Sequence, residues 1–228
     1  MELRGKVVIV TGASSGVGAA TARLAHGHGA RLVLAARRAD RLVTLSQELA
    51  GSLAVPTDVT SGEAVRRLCD RALAEFGAID VLVNNAGQGL HVPLMSVEPS
   101  DFQAVWQLNV MAPLALMQAV FPTMAAQGAG AIVNVSSGTS VRVIPGLGAY
   151  AATKAALNML SQVARAEFAD KGVTVSLVFP GITDTDFHQS LRAGTFRGPS
   201  GVAPELVAET ILQAIASGEP EVRVPYPG

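Results

Sequence analysis

Val7-Val-Ile-Val-Thr-Gly-Ala-Ser-Ser-Gly-Val-Gly18 is the stretch on which the reading of this chain turns. Four apolar β-formers make a short strand, three glycines follow it directly, and an apolar-periodic segment over 17–28 then reads as a helix. Glycines allow a tight turn and a close approach of main chain to a pyrophosphate. The helix start offers unpaired N–H groups and a partial positive charge to the same anion. Gly12, Gly16 and Gly18 are spaced Gly-x-x-x-Gly-x-Gly, with a wider first interval than the G-x-G-x-x-G dinucleotide fingerprint. Ser14, Ser15 and Val17 complete the turn. The competing reading is a glycine-rich strand-to-helix turn that holds nothing.

Outward from this turn the pattern repeats. Short Val/Ile/Leu-rich runs at 7–10, 31–35, 53–55, 81–83, 131–135, 173–178 and 221–224 alternate with helical patterns near 17–28, 39–50, 62–76, 101–126, 151–169 and 204–216. The strand runs lack in–out alternation, which marks strands buried on both faces. The expectation is α/β: one doubly wound, Rossmann-like three-layer sandwich over residues 1–228, with a mostly parallel sheet of about seven strands. Ligands then belong at the carboxyl ends of the strands.

Composition excludes several classes. The chain is 49% hydrophobic and carries a net charge of -1, so nothing favours nucleic acid or an anionic membrane as partner. The longest apolar stretch, 110–126, contains Pro113, Gln118, Pro122 and Thr123, and reads as a buried, kinked helix rather than a membrane span. Cys69, the single cysteine, sits on the apolar stripe of a helix as a small hydrophobe. With no disulfide possible within the chain and no signal peptide at its start, the expected location is cytoplasmic. The four histidines form no cluster with Cys or carboxylates, so no metal site is expected.

After the second strand run the sequence reads Ala35-Ala36-Arg37-Arg38, with no acid before Asp40. An NAD site usually offers a carboxylate there, whereas arginine accommodates a 2′-phosphate. Arg37 and Arg38 therefore favour NADP(H) over NAD(H), unless they are only the solvated start of a helix.

Tyr150 and Lys154 stand four apart, so a helix stacks them on one face, and Ser137 ends the fifth strand run upstream. A phenol used as an acid–base group near neutral pH is about three units too weak an acid, and a fixed ammonium beside it would favour the phenolate. Pro113 adds a separate argument. It has no N–H, so the carbonyl of Asn109 loses its helical partner, and either holds a water at the cleft or marks a purely structural kink.

In Thr11-Gly-x-x-x-Gly-x-Gly18, Asp58-Val59, Asn84-Asn-Ala-Gly87, Ser137, Tyr150-x-x-x-Lys154 and Pro180-Gly181, each at a strand end or helix start, and in Asn109 within the long helix, the chain resembles the short-chain dehydrogenases/reductases over essentially its full length. The resemblance implies Tyr150 as general acid/base, Ser137 polarising the substrate carbonyl, Lys154 binding the nicotinamide ribose and lowering the tyrosine's pKa, and Asn109 holding a relay water. It implies Asp58 and Val59 beside the adenine, and Asn85, Ala86 and Gly87 beside the ribose and pyrophosphate. Thr183 and Thr185 fall at the nicotinamide carboxamide, and Pro180 and Gly181 after the sixth strand also border the cofactor.

The reaction implied is NADP(H)-dependent interconversion of a small carbonyl compound and its alcohol; a dinucleotide-sensing or scaffold protein of the same fold is the alternative. The resemblance also implies a homodimer or homotetramer paired through the two long central helices. Pocket walls are expected from 88–94, 138–147 and 183–201, with Leu90, Val141, Val143, Ile144, Leu147, Phe187, Leu191 and Phe196 as apolar lining, and with Arg142, Arg192 and Arg197 nearby. Gly194, Gly198 and Gly201 mark 182–203 as a substrate loop or lid.

Overall fold

The computed structural model of the chain describes residues 1–195 and 200–225. Seven strands form one parallel sheet: β1 (Val7–Thr11), β2 (Arg31–Ala36), β3 (Leu53–Pro56), β4 (Val81–Asn84), β5 (Gly130–Val135), β6 (Val173–Phe179) and β7 (Glu221–Arg223). Their order is β3-β2-β1-β4-β5-β6-β7, so the winding reverses between β1 and β4. That reversal opens the crevice at the carboxyl end of β1.

The helices are α1 (Gly16–Gly27), α2 (Ala39–Glu48), α3 (Gly62–Phe76), α4 (Pro99–Trp106), α5 (Ala112–Gln127), α6 (Gly148–Phe168) and α7 (Pro204–Ser217). Alternate strand residues face opposite layers. Val8 and Val10 pack with Leu32 and Leu34 into the layer holding α1, α2 and α7. Val7 and Ile9 pack with Val33, Leu68, Leu116 and Val120 into the layer of α3 and α5. Because both faces are covered, every residue of β1, β4 and β5 is buried, which explains the unbroken apolar runs.

Local signals set the ends. Ser61 caps α3 by accepting the Ala64 N–H at 3.3 Å, and Gly77 closes it at φ 73 in the left-handed region. Cys69 is buried on the inner face of α3, and burial pushes its thiol up to about 11, as suits an inert apolar position.

The helical run Pro99–Gln127 is long and apolar enough to cross a membrane, but it lays Leu116, Met117, Val120 and Met124 into the core. It is also not the simple kinked helix expected over 101–126. Between α4 and α5 one turn, Gln107–Met111, is π-helical, with the Ala112 N–H donating to the Gln107 carbonyl. Pro113 has no N–H for the Asn109 carbonyl, and the widened turn falls where that bond is missing.

Candidate active site

A cavity of about 1030 Å³ lies along the carboxyl ends of the strands, large enough for an extended ligand and a smaller one together. The glycine turn, Arg37 and Arg38 form one end; Ser137, Tyr150 and Lys154 form the other.

At the first end, Thr11 ties β1 to β4. Its hydroxyl donates to the Val83 carbonyl at 3.2 Å and accepts the N–H groups of Asn85 and Ala86 at 3.0 and 3.1 Å. The Asn85 amide donates to the Thr11 carbonyl at 2.9 Å, so this side chain braces the turn. A Cβ on Gly18 would lie 2.3 Å from the Gly12 carbonyl oxygen, which only glycine permits. Gly18 therefore lies under the turn, while Gly12, Ser14, Ser15, Gly16 and Val17 line the cavity.

Ser15 precedes α1 without accepting a helix N–H at its side chain, and no acid stands in the first turn, so nothing there opposes an anion. Arg38 reaches back across this turn. Its Nε and Nη2 donate to Ser14 Oγ at 3.1 and 2.9 Å, and Nη2 donates to Ser15 Oγ at 2.5 Å. Asp58 accepts from the Thr60 N–H and hydroxyl at 3.0 and 2.7 Å; those bonds, with Arg37 nearby, hold its carboxyl below the usual range. Val59 lies beside it on the cavity wall.

At the other end, Tyr150 and Lys154 are 7% and 5% exposed on the first turns of α6. Burial pushes the Tyr150 phenol up to about 12, and a hydrogen bond with Ser137 pulls the other way. Burial also brings the Lys154 ammonium down to about 8. The expected lowering of the phenol's pKa by Lys154 does not appear; Lys154 Nζ instead donates to the Val135 carbonyl at 2.8 Å. Desolvation is the largest influence on both groups.

Asn109 is wholly buried and does not line the cavity. Its amide accepts the Gln88 N–H at 3.0 Å, and it donates to the Gln88 carbonyl at 2.9 Å and to Thr153 Oγ1 at 3.1 Å. Thr153 in turn donates to the Tyr150 carbonyl at 2.7 Å. The side chain thus clasps the loop after β4 to the helix carrying Tyr150.

Gly87, Ala86, Pro180, Gly181, Thr183 and Thr185 also border the cavity. Thr185 lies against the glycine turn, where a Cβ on Gly16 would meet it at 3.0 Å. Of the expected apolar walls, Ile144, Leu147 and Phe187 line the cavity, as do Arg142 and Arg192. Leu90 is instead packed in a small core with Val105 and Tyr150, and Val143 is fully exposed. Leu191 packs on Gly89. Phe196, Arg197 and Gly198 lie outside the described residues.

Two of the expected lid glycines prove to be points of close contact. A Cβ on Gly194 would lie 1.8 Å from the His91 carbonyl oxygen, and one on Gly201 would lie 2.4 Å from that of Ile182. Both serve short parallel bridges, His91 with Gly194 and Thr183 with Val202. The Arg192 N–H donates to the Gly89 carbonyl at 2.8 Å and the His91 N–H to the Ala193 carbonyl at 3.0 Å, which seats the segment on the loop after β4.

That seating brings His91 and His188 to the site, which the sequence considered only as metal ligands. The His91 ring centroid is 6.2 Å from that of Tyr150 and 6.0 Å from that of His188. Burial lowers the pKa of both imidazoles, and His188 adds to the effect on His91. Among the described residues no group of His, Cys, Asp and Glu is placed to hold a metal ion.

The reversed winding, the glycine turn and the cavity across them define a doubly wound α/β fold of the dinucleotide-binding type. The family model described as short chain dehydrogenase matches residues 6–195, and the chain belongs to that family. An uncharacterized oxidoreductase of Staphylococcus aureus (strain N315) is 34% identical over 93% of this chain and 92% of its own. A short chain dehydrogenase/reductase from Burkholderia phymatum, solved in complex with NAD, has 28% identity and a TM-score of 0.91 over 98% of this chain and 90% of that one. An alcohol dehydrogenase from the archaeon Thermococcus sibiricus, complexed with 5-hydroxy-NADP, has 29% identity and a TM-score of 0.87 over 96% and 95%. A nicotinamide dinucleotide is the cofactor these relatives support.

Proposed function

We propose that the chain is an NADP(H)-dependent oxidoreductase interconverting a carbonyl compound and its alcohol, with Tyr150 as the general acid. The observation that carries this reading is the buried Tyr150 phenol four residues from Lys154 on α6, with Ser137 beside them in one cavity with the glycine turn.

The residues fit the cofactor. The uncapped, acid-free start of α1 and the bare main chain of Gly12 and Gly16 suit a pyrophosphate. Arg38, already fixed by Ser14 and Ser15, with Arg37 beside it, would hold a 2′-phosphate. Asp58 and Val59 would flank the adenine. Asn85, Ala86, Gly87 and Lys154 would lie along the riboses, and Pro180, Gly181, Thr183 and Thr185 along the nicotinamide. When bound, that ring supplies or takes up the hydride.

The protein's own part is proton delivery and orientation. Ser137 donates to the substrate oxygen, and Tyr150 gives that oxygen its proton. A phenol held near 12 is protonated at neutral pH, as the acid role in carbonyl reduction requires. Lys154 is mostly protonated at pH 7 with its folded pKa about 8, and it reprotonates the phenol side of the site. Asn109 contributes by fixing the loop after β4 against α6.

The proposal extends to the whole chain as one dinucleotide-binding unit, with 182–203 walling the substrate end. It is cytoplasmic and forms homodimers or homotetramers. Ala152, Ala155, Met159 and Val163 make an exposed apolar stripe on α6, with Met159 61% exposed, and this stripe supports pairing through that helix. The test is a panel of ketones, aldehydes and 3-oxoacyl thioesters, following NADPH absorbance. Turnover of at least one carbonyl class is expected. Tight NADPH binding with no turnover across the panel would sink the reading in favour of a dinucleotide sensor.

A further inference from the structure

A serine hydroxyl gives one hydrogen bond and accepts two. At Ser137 both accepted bonds come from one residue: Thr139 donates its N–H at 3.2 Å and its Oγ1–H at 2.9 Å to Ser137 Oγ. With both lone pairs taken, the proton is the one hydrogen-bonding capacity left to Ser137, and Tyr150 lines the same cavity and feels Ser137 at its phenol. We propose that Thr139 is a positioning residue, aiming the Ser137 O–H at the Tyr150 oxygen and, with substrate bound, at the carbonyl oxygen. This rests on the reading of Ser137 and Tyr150 given above.

The local fold makes the aim durable. Ser137 is extended, at φ -162 and ψ 147, and the 3₁₀ turn Gly138–Val141 begins straight after it. That short turn brings residue 139 back over residue 137. It is pinned from three sides. The Gly138 N–H donates to the Pro180 carbonyl at 2.8 Å, Ser140 Oγ donates to the Ser137 carbonyl at 2.6 Å, and Asn158 Nδ2 donates to Ser140 Oγ at 2.9 Å. The main-chain bond from residue 139 survives any substitution but proline. The shorter bond needs a hydroxyl, so the identity of the side chain decides how firmly Ser137 is aimed.

The direction of the Ser137 proton matters because its hydrogen bond is the influence that opposes burial at the Tyr150 phenol. The ionisable groups around that phenol are Lys154 on the same helix, His91 from the loop after β4 with His188 behind it, and Arg142 on the cavity wall. Replacing Thr139 by the isosteric valine alters none of these charges.

Tyr150 and Tyr226 are the only tyrosines of the chain. In a Tyr226→Phe background, tyrosinate absorbance after a rapid pH jump therefore reads Tyr150 alone, without substrate and before alkaline unfolding. Ser137→Ala should move the ionisation to higher pH. Thr139→Val should move it in the same direction by less, since the main-chain donor remains, and Thr139→Ser should match wild type. Turnover of a reduced carbonyl should fall about fivefold in Thr139→Val, the equivalent of one neutral hydrogen bond, with NADPH affinity unchanged and Thr139→Ser restoring the rate. An unmoved ionisation in Thr139→Val beside a shifted Ser137→Ala overturns the role of Thr139 alone. Equal shifts in Thr139→Val and Thr139→Ser also overturn it, because packing rather than the hydroxyl would then be responsible. An unmoved Ser137→Ala overturns the Ser137–Tyr150 coupling itself and the inference with it.

Discussion

The cavity's two ends are built from different material. At the glycine turn the surface is main chain, uncapped helix N–H groups and one arginine held on two serines, all supplied by the loops after β1 and β2. At the Tyr150 end the surface is side chains from four separate places: the turn after β5, the start of α6, the loop after β4 and the segment after β6. The first end depends on backbone shape and charge. The second depends on burial, which sets the proton affinities of Tyr150 and Lys154. A perturbation at one end should therefore leave the other nearly intact.

The severest test of that separation is Tyr150→Phe. It should lose roughly 10²–10⁴-fold in turnover, the usual worth of a general acid, while NADPH binding by fluorescence titration stays at the wild-type value. Next in size is Arg37→Asp combined with Arg38→Ala. Removing charge-assisted bonds to a 2′-phosphate should shift the NADPH/NADH preference by about 10- to 100-fold in kcat/KM, without changing the pH profile set at Tyr150. An unchanged preference would break the assignment of the arginines.

A smaller effect concerns stability. Lys154 loses its proton near pH 8 when folded but near its ordinary 10.5 when unfolded, so between these values the unfolded chain binds more protons and stability rises with pH. From pH 8 to 9.5 the wild type should gain on the order of 2 kcal/mol relative to Lys154→Met in urea titrations. The Tyr150 phenol works in the opposite sense and only above pH 10, where the unfolded tyrosine ionises first. The least effect is expected from Pro113→Ala. Restoring an N–H lets an α-helical turn replace the π turn and moves Asn109, which should slow turnover a few-fold and spare cofactor affinity. An identical rate would detach the π turn from the chemistry.

The same contrast explains what could be read from the sequence. Strands were legible nearly to the residue, as at β2 and β6, because burial on both faces leaves an uninterrupted apolar run. The glycine turn was legible because its function resides in backbone freedom, which glycine advertises. Pro113 announced a defect but not its form, since a π turn differs from a kink only in hydrogen-bond register. Tyr150 and Lys154 were legible as a pair, but their proton affinities were not. Those depend on how dry the site is, which only the folded chain determines. His91, His188 and Thr139 carried no signal beyond their place after strands, and Val143 could not be told from a wall residue until its loop was seen to face outward.

The stretch after β6 is seated on the loop after β4 through main-chain pairs at Gly89, His91, Arg192 and Ala193, with glycine needed at position 194 where the two backbones touch. Such a seat is indifferent to most of the side chains it carries. The residues facing the reacting carbonyl are thus free to drift in evolution without unfastening the wall that presents them. One scaffold can in this way change its taste in substrates while keeping its chemistry.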